Sequence, residues 1–274
     1  MHDTIVFIGG GNMAASLIGG LRHAGHPADR IRVVEPDAGR RESLSADQGV
    51  TVAADADAAL LAADVWVLAV KPQMMAEVAT GLAPMLPERR PVVMSVAAGV
   101  PTRALAGWLG GDVPLVRCMP NTPALIGAGA SGLFALPSVG ETQRASAEAV
   151  AAAAGTVVWV AEESALDAVT ATSGSGPAYF FRFMEAMQAG AEDLGLPPET
   201  ARELVLHTAL GAARMALESG DDPATLRAKV TSPGGTTERA LAAFEDGNLQ
   251  ALVTTAMRAA ADRSRELGAG FDAE

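Results

Sequence analysis

Two glycine-bearing runs, one near each end of the 274-residue chain, have the residue types and spacing that bind anions. Near the C-terminus, Lys229-Val-Thr-Ser-Pro-Gly-Gly-Thr-Thr237 is a hydroxyl-rich turn leading straight into a helical pattern. Gly234 and Gly235 are expected to expose backbone N–H groups, the helix dipole favours negative charge, and the hydroxyls of Ser232, Thr236 and Thr237 lie beside them. Such a helix start suits a small carboxylate. Near the N-terminus, the apolar run Thr4-Ile-Val-Phe-Ile8 is followed by Gly9-Gly10-Gly11-Asn12-Met13-Ala14, a strand–turn–helix dinucleotide fingerprint. Gly9 permits the tight turn, Gly11 lets the backbone approach a pyrophosphate, and Ala14 lets the helix pack closely on the strand. A glycine pattern alone is weak, but this one sits between an apolar strand and an amphipathic helix, where the fingerprint belongs. A nucleotide site at one end and an anion-binding helix start at the other point to a reductase that brings a nicotinamide to a small acidic substrate.

Further candidates follow the ends of the apolar runs. The second run ends at Val34-Glu35-Pro36-Asp37, and a carboxylate at this distance from the fingerprint bonds an adenosine ribose 2′-hydroxyl, favouring NADH. Arg40 and Arg41 follow, either to neutralise a 2′-phosphate or as solvated charges on a surface helix, so the choice of NADH or NADPH is open. Ala69-Val70-Lys71-Pro72 and the small turn Ala97-Ala98-Gly99 both come at strand ends where such cofactors collect, with Lys71 either facing the cofactor or starting a helix in solvent. In Arg117-Cys-Met-Pro-Asn-Thr-Pro123, Asn121 is either a hydrogen-bonding partner for a carboxamide or a rigid turn residue. Ser173-Gly-Ser-Gly-Pro177 precedes a helix beginning at Ala178-Tyr179 and is either simply a helix cap or a second helix start that helps enclose the acid. His2, His23, His26 and His207 form no relay with carboxylates, and no metal-ligand cluster or nucleophile elbow is present. The chemistry is therefore expected to come from the cofactor.

These residues need a parallel sheet to bring them together. Short apolar runs at Thr4–Ile8, Ile31–Val34, Val65–Ala69, Val92–Ser95 and Leu115–Cys118 alternate with helical patterns at 14–23, 39–48, 55–62, 74–82 and 102–109. That alternation predicts a doubly wound, mostly parallel Rossmann sheet with crossover helices. Strands at 130–136 and 156–160 flank an alanine-rich helix at 141–154, and from Ser164 onward only amphipathic helical patterns follow. The expected division is an α/β dinucleotide-binding domain at 1–162 and an all-α dimerisation and substrate domain at 163–274. The helical part has more apolar surface than one small layer hides, which predicts pairing with a second copy.

A net charge of −12 and a pI near 4.8 argue against nucleic acid or an anionic membrane surface as partner, and require any phosphate site to be locally positive. The single cysteine, Cys118, allows no internal disulfide and fits a reducing compartment. No signal peptide or membrane segment is read from the chain, so a cytoplasmic protein is expected.

The chain resembles the pyrroline-5-carboxylate reductase family from end to end. The resemblance rests on Phe7–Met13, Ala69-Val-Lys-Pro72, Ala97-Ala-Gly-Val100, Arg117–Pro123, Ser173–Tyr179 and Val230–Thr237, six motifs in the family's order. It implies a Rossmann domain and a helical domain that interlocks with a partner subunit, each active site joining the nicotinamide of one chain to the Ser-Pro-Gly-Gly loop of the other. Such dimers assemble into rings of five in some members. It also implies that Ile8, Gly9, Gly10, Gly11, Asn12, Met13, Ala69, Val70, Lys71, Pro72, Ala97 and Ala98 bind NAD(P)H. Ser232, Gly235, Thr236 and Thr237 would hold the substrate, with the Thr237 hydroxyl closest to the imine. Glu35, where the family commonly has serine, and Ala56, near which an asparagine can contact the cofactor, depart from the pattern and leave the usual NADPH preference unsettled. Two rival readings stand beside this one: a β-hydroxyacid or ketopantoate-type dehydrogenase, which needs a lysine on a long helix of its second domain, and a non-catalytic nucleotide sensor.

Overall fold

A computed structural model of the chain describes residues 2–272, which form two compact units, residues 2–175 with 259–272, and residues 176–258. The first unit holds one eight-stranded sheet in the order β3-β2-β1-β4-β5-β6-β7-β8. Its strands are β1 (Ile5–Ile8), β2 (Ile31–Val34), β3 (Thr51–Ala53), β4 (Val65–Leu68), β5 (Val92–Ser95), β6 (Leu115–Met119), β7 (Gly129–Ala135) and β8 (Gly155–Trp159). The helices are α1 (Asn12–His23), α2 (Ala38–Gln48), α3 (Met75–Leu82), α4 (Thr102–Trp108), α5 (Glu141–Ala152) and α6 (Ala165–Val169). Period-two alternation sends Ile5 and Phe7 into one apolar cluster with Leu17 and Ile18, and Val6 and Ile8 into another with Trp66, Leu68 and Met75. Both faces of the sheet are thus covered, as continuous apolar strands require.

Three local departures have physical causes. β3, a three-residue strand beside β2, is too short and too exposed to show in the hydropathy pattern. The helix expected at 55–62 is only a 3-10 helix, Ala58–Ala62, because few residues separate β3 from β4. β7 runs antiparallel to β6, since the nine residues joining them carry only the 3-10 turn Thr122–Ile126, and a parallel return needs a crossover of a dozen or more residues.

Residues 163–175 pack in the first compact unit. Leu166 is fully buried in the first unit, Glu163 bonds the main chain and hydroxyl of Thr102 (2.7 and 2.6 Å), and Asp167 accepts a bond from Ser264 (2.7 Å). These contacts fasten residues 163–175 and the end of the chain to the sheet. The second unit contains α7 (Gly176–Asp193), α8 (Pro198–Glu218), α9 (Pro223–Lys229), α10 (Thr236–Asp246) and the first half of α11 (Leu249–Ala269). Its only buried residues are Gly176, Ala201 and Val205, whereas Phe180, Phe181, Leu210 and Leu252 are exposed.

Candidate functional site

The order of strands turns back on itself between β1 and β4, and the crevice beyond the carboxyl ends of these two strands is where doubly wound folds bind ligands. Ile8 ends β1, and Gly9 follows with φ +99°, donating its N–H to Val34 O at 2.8 Å. A Cβ on Gly9 would lie 2.7 Å from Ala69 O, so both its backbone angle and its neighbour demand glycine. Gly11 is the N-cap of α1, supplies no side-chain cap, and has open space where a side chain would stand. The first amides of α1, from Asn12 and Met13 onward, are therefore presented to the crevice without a capping group of the protein's own, which fits a pyrophosphate. Ala69 extends β4 by bonding Ile8 O (2.8 Å), Val70 is half-buried, and Lys71 is exposed just before the 3-10 turn Pro72–Met74. Ala97 is buried and Ala98 exposed at the end of β5. The fold thus gathers Ile8 through Met13, Ala69 through Pro72, Ala97 and Ala98 on one sheet edge.

Glu35 reaches the same edge, but with its carboxylate already engaged. Only 5% exposed, it accepts bonds from Gly10 N at 2.8 Å and Asp37 N at 3.0 Å, one on each oxygen. The side chain of Asn121 is engaged within the framework. Its carboxamide donates to Ser173 O (3.0 Å) and accepts from Ala130 N (2.9 Å), tying β7 to the segment after α6. The second helix start that Ser173-Gly-Ser-Gly-Pro177 could offer is absent as such. Thr170–Gly174 is a π-helical turn carrying α6 almost continuously into α7, and the Ser173 hydroxyl donates to Val169 O within it (3.1 Å). The residues expected to precede a helix start are thus themselves part of a helical turn.

In the second unit, Ser232–Gly235 forms a turn that leads into α10. Gly234 has φ +71° and Gly235 is the N-cap, again without a side-chain cap. The expectation that both glycine amides face a ligand is corrected: Gly235 N donates to Ser232 O at 3.0 Å, closing the turn, and Gly234 N donates to Glu238 Oε2 at 2.7 Å. The amides left for an anion are those of Thr236 and Thr237, in the first turn of α10. Glu238, in the first turn of α10, thus caps the loop with a carboxylate of the chain itself, negative charge being favoured at a helix start. Lys229 pairs with Asp221 on the exposed end of α9, and α7, α8 and α11 contain no lysine. The long-helix lysine of the rival dehydrogenase reading is therefore missing.

One polar network went unread in the sequence. Arg117, 7% exposed in β6, pairs with Glu163 at 3.1 Å, and the same carboxylate holds the start of α4 through Thr102. An arginine inside an otherwise apolar strand was the available signal, since a buried charge needs a partner. Beside it Cys118 is fully buried, which pushes its thiol up to about 12, partly countered by a bond with Ser131. Among the described residues, no group of His, Cys, Asp and Glu is placed to hold a metal ion, and no helix is long and apolar enough to cross a membrane.

Residues 163–267 match the family model described as pyrroline-5-carboxylate reductase dimerisation, and residues 4–99 match that of NADP oxidoreductase, coenzyme F420-dependent. The pyrroline-5-carboxylate reductase of Pseudomonas aeruginosa is 52% identical over 96% of this chain and 96% of its own. That of Vibrio alginolyticus is 45% identical over 97% of this chain and 98% of its own. Among solved structures, a pyrroline-5-carboxylate reductase from Coxiella burnetii superposes with a TM-score of 0.95 at 45% identity, covering 97% of this chain and 99% of that one. A Plasmodium falciparum pyrroline carboxylate reductase with NADP bound gives 0.84 at 26% identity, covering 97% and 98%. With identity at this level over nearly its whole length, the chain belongs to the pyrroline-5-carboxylate reductase family.

Proposed function

We propose that the chain reduces the carbon–nitrogen double bond of (S)-1-pyrroline-5-carboxylate with NAD(P)H, giving L-proline in the last step of proline biosynthesis. The observation that carries this reading is near-full-length identity to curated reductases, joined to two uncapped helix starts, one at the sheet's switch point and one after Gly235. Reduced nicotinamide supplies the hydride that the imine carbon of the substrate, C2 of the pyrroline ring, receives, while the ring nitrogen keeps or gains a proton. Gly9 through Met13, Ala69 through Pro72, Ala97 and Ala98 hold the cofactor. Ser232, Thr236 and Thr237 hold the substrate carboxylate and ring nitrogen, Gly234 and Gly235 shaping the turn that presents them, with the Thr237 hydroxyl bonding the nitrogen. A protonated cyclic imine is already electrophilic, so no strong protein acid is required. Holding two reactants in line accounts for about 7–11 kcal/mol of barrier lowering, so positioning dominates over any single hydrogen bond.

The assembly proposed is at least a homodimer made through the helical unit, with a ring of five dimers as the larger form, and the cytoplasm as its compartment. Exposed apolar helices in a unit with almost nothing buried, and the match of residues 163–267 to a dimerisation model, support the pairing. The test is loss of reduced-nicotinamide absorbance on adding pyrroline-5-carboxylate, with proline identified as product. A protein that binds nucleotide yet forms no proline would return the reading to the nucleotide-sensing alternative.

A further inference from the structure

We propose that Glu35 makes this chain select NADH over NADPH, by fixing a carboxylate where the 2′-phosphate of NADPH has to lie. The inference rests on the nucleotide site assigned above and extends it to the adenosine end. At the carboxyl end of β2, the strand next to β1 on the side of the glycine turn, an acidic side chain meets the adenosine ribose. Glu35 stands at that place and does not swing freely. One oxygen is held by Gly10 N at 2.8 Å and the other by Asp37 N at 3.0 Å, while the main-chain N–H of Glu35 is bonded to Ala53 O at 2.9 Å. Its methylene carbons press on Gly10, where an added Cβ would meet Glu35 Cγ at 3.2 Å and Leu44 Cδ1 at 2.7 Å. Each carboxylate oxygen keeps a second lone pair, enough to accept a ribose hydroxyl but nothing that can face a phosphate.

The basic residues nearby do not offset this. Arg41 Nη1 donates to Glu35 O at 2.8 Å and to Pro36 O at 2.7 Å, so it is turned onto the main chain. Arg40 extends toward Glu35 itself, 4.0 Å from Oε2, and is more than half exposed. Asp37 adds a second carboxylate two residues on, with Oδ1 accepting from Arg40 N at 2.8 Å to cap α2. The locally positive surface that the sequence requires for phosphate is therefore met by the first amides of α1 at the pyrophosphate, and not at the ribose, where the fixed carboxylate of Glu35 stands with Asp37 against Arg40 and Arg41. A like-charge meeting in a partly buried site disfavours the wrong ligand strongly.

The test is binding, measured by titration calorimetry on the full-length protein with NADH and NADPH, and separately with 5′-AMP and adenosine 2′,5′-bisphosphate. The second pair differs only in the phosphate at issue and so reports on the adenosine end alone. NADH and 5′-AMP are each expected to bind at least about tenfold more tightly than their phosphorylated counterparts. Glu35→Ser is expected to shrink both ratios by about tenfold or invert them, and Glu35→Gln, which keeps the side chain's bulk, covers the case in which the shorter residue loosens the turn. Equal or tighter binding of NADPH by the unaltered protein overturns the inference, as does an unchanged ratio in a folded Glu35 variant or a preference seen with the dinucleotides and not with the mononucleotides. Failure of all four ligands to bind overturns the nucleotide site itself, and with it this inference.

Discussion

Thr237 sits in the first turn of α10, half-buried, beyond an N-cap glycine that brings no side chain of its own. If its hydroxyl bonds the ring nitrogen as charge changes there, it contributes on the scale of a hydrogen bond to a charged group, about 1.5–3 kcal/mol, or roughly ten- to a hundredfold in rate. Thr237→Ala is accordingly expected to lower kcat by one to two powers of ten while cofactor affinity stays nearly constant, read from steady-state kinetics beside nucleotide titration. An unaltered kcat would remove Thr237 from the reaction. Cys118 makes the opposite case. Burial raises its thiol to about 12, so almost no thiolate exists near neutrality, and the thiolate is the reactive form. A thiol reagent at mildly alkaline pH should therefore leave the folded protein unlabelled and react fully once denaturant is added; prompt labelling of the folded form would show that this strand opens.

At the scale of elements, the sheet holds its site by polar fastening as well as by packing. Glu163, ahead of α6, joins Arg117 in β6 to the N-terminus of α4, three elements through one carboxylate. Removing it leaves a guanidinium buried without its partner, the costly half of a buried ion pair, so Glu163→Ala should lose about 3–5 kcal/mol of stability. Arg117→Met combined with Glu163→Met should lose much less, and a denaturant-melt cycle over the four proteins measures the difference. How much of this was legible follows from the kind of signal each element leaves. β1 and β4 were readable because a strand buried on both faces is apolar throughout, β2 and β5 because only Arg32 and Ser95 interrupt their apolar runs, and Gly9 because its turn allows no other residue. β3 was not, nor was the direction of β7, since a three-residue edge and a strand direction leave no periodicity. Asn121 looked like a ligand because its carboxamide is suited to one; only the fold shows that Ala130 and Ser173 take it. The same limit applies to Gly234, whose N–H goes to Glu238, a bond that residue types alone do not announce.

The whole molecule divides its stability unequally. The sheet unit has two continuous apolar clusters, but in the helical unit the large side chains of α7 and α8 point into solvent, with Phe180 at 68% and Leu217 at 86% exposure. Leu206, Leu210 and Leu217 recur on one face of α8 at helical spacing, the stripe an amphipathic helix keeps for burial. A layer of helices with three buried residues does not offset the entropy of ordering its own chain, so a second copy has to supply the missing half of the core. Folding and pairing are then one event, and stability becomes a function of protein concentration. The expected outcome is a Tm that rises with concentration in the unaltered protein, and a mass by light scattering of two chains or a multiple of two. Leu210→Glu places a charge in the centre of the stripe, where pairing would bury it unpaired, at a cost of several kcal/mol. That variant should run as a monomer with a lowered Tm that no longer depends on concentration. Because α10 and its Ser232–Gly235 turn belong to the same helical unit, its affinity for a proline-like acid should fall along with the mass, while nucleotide binding at the glycine turn of the sheet unit survives. A Leu210→Glu protein that keeps both its mass and its melting behaviour would show that this face of α8 is not where the copies meet.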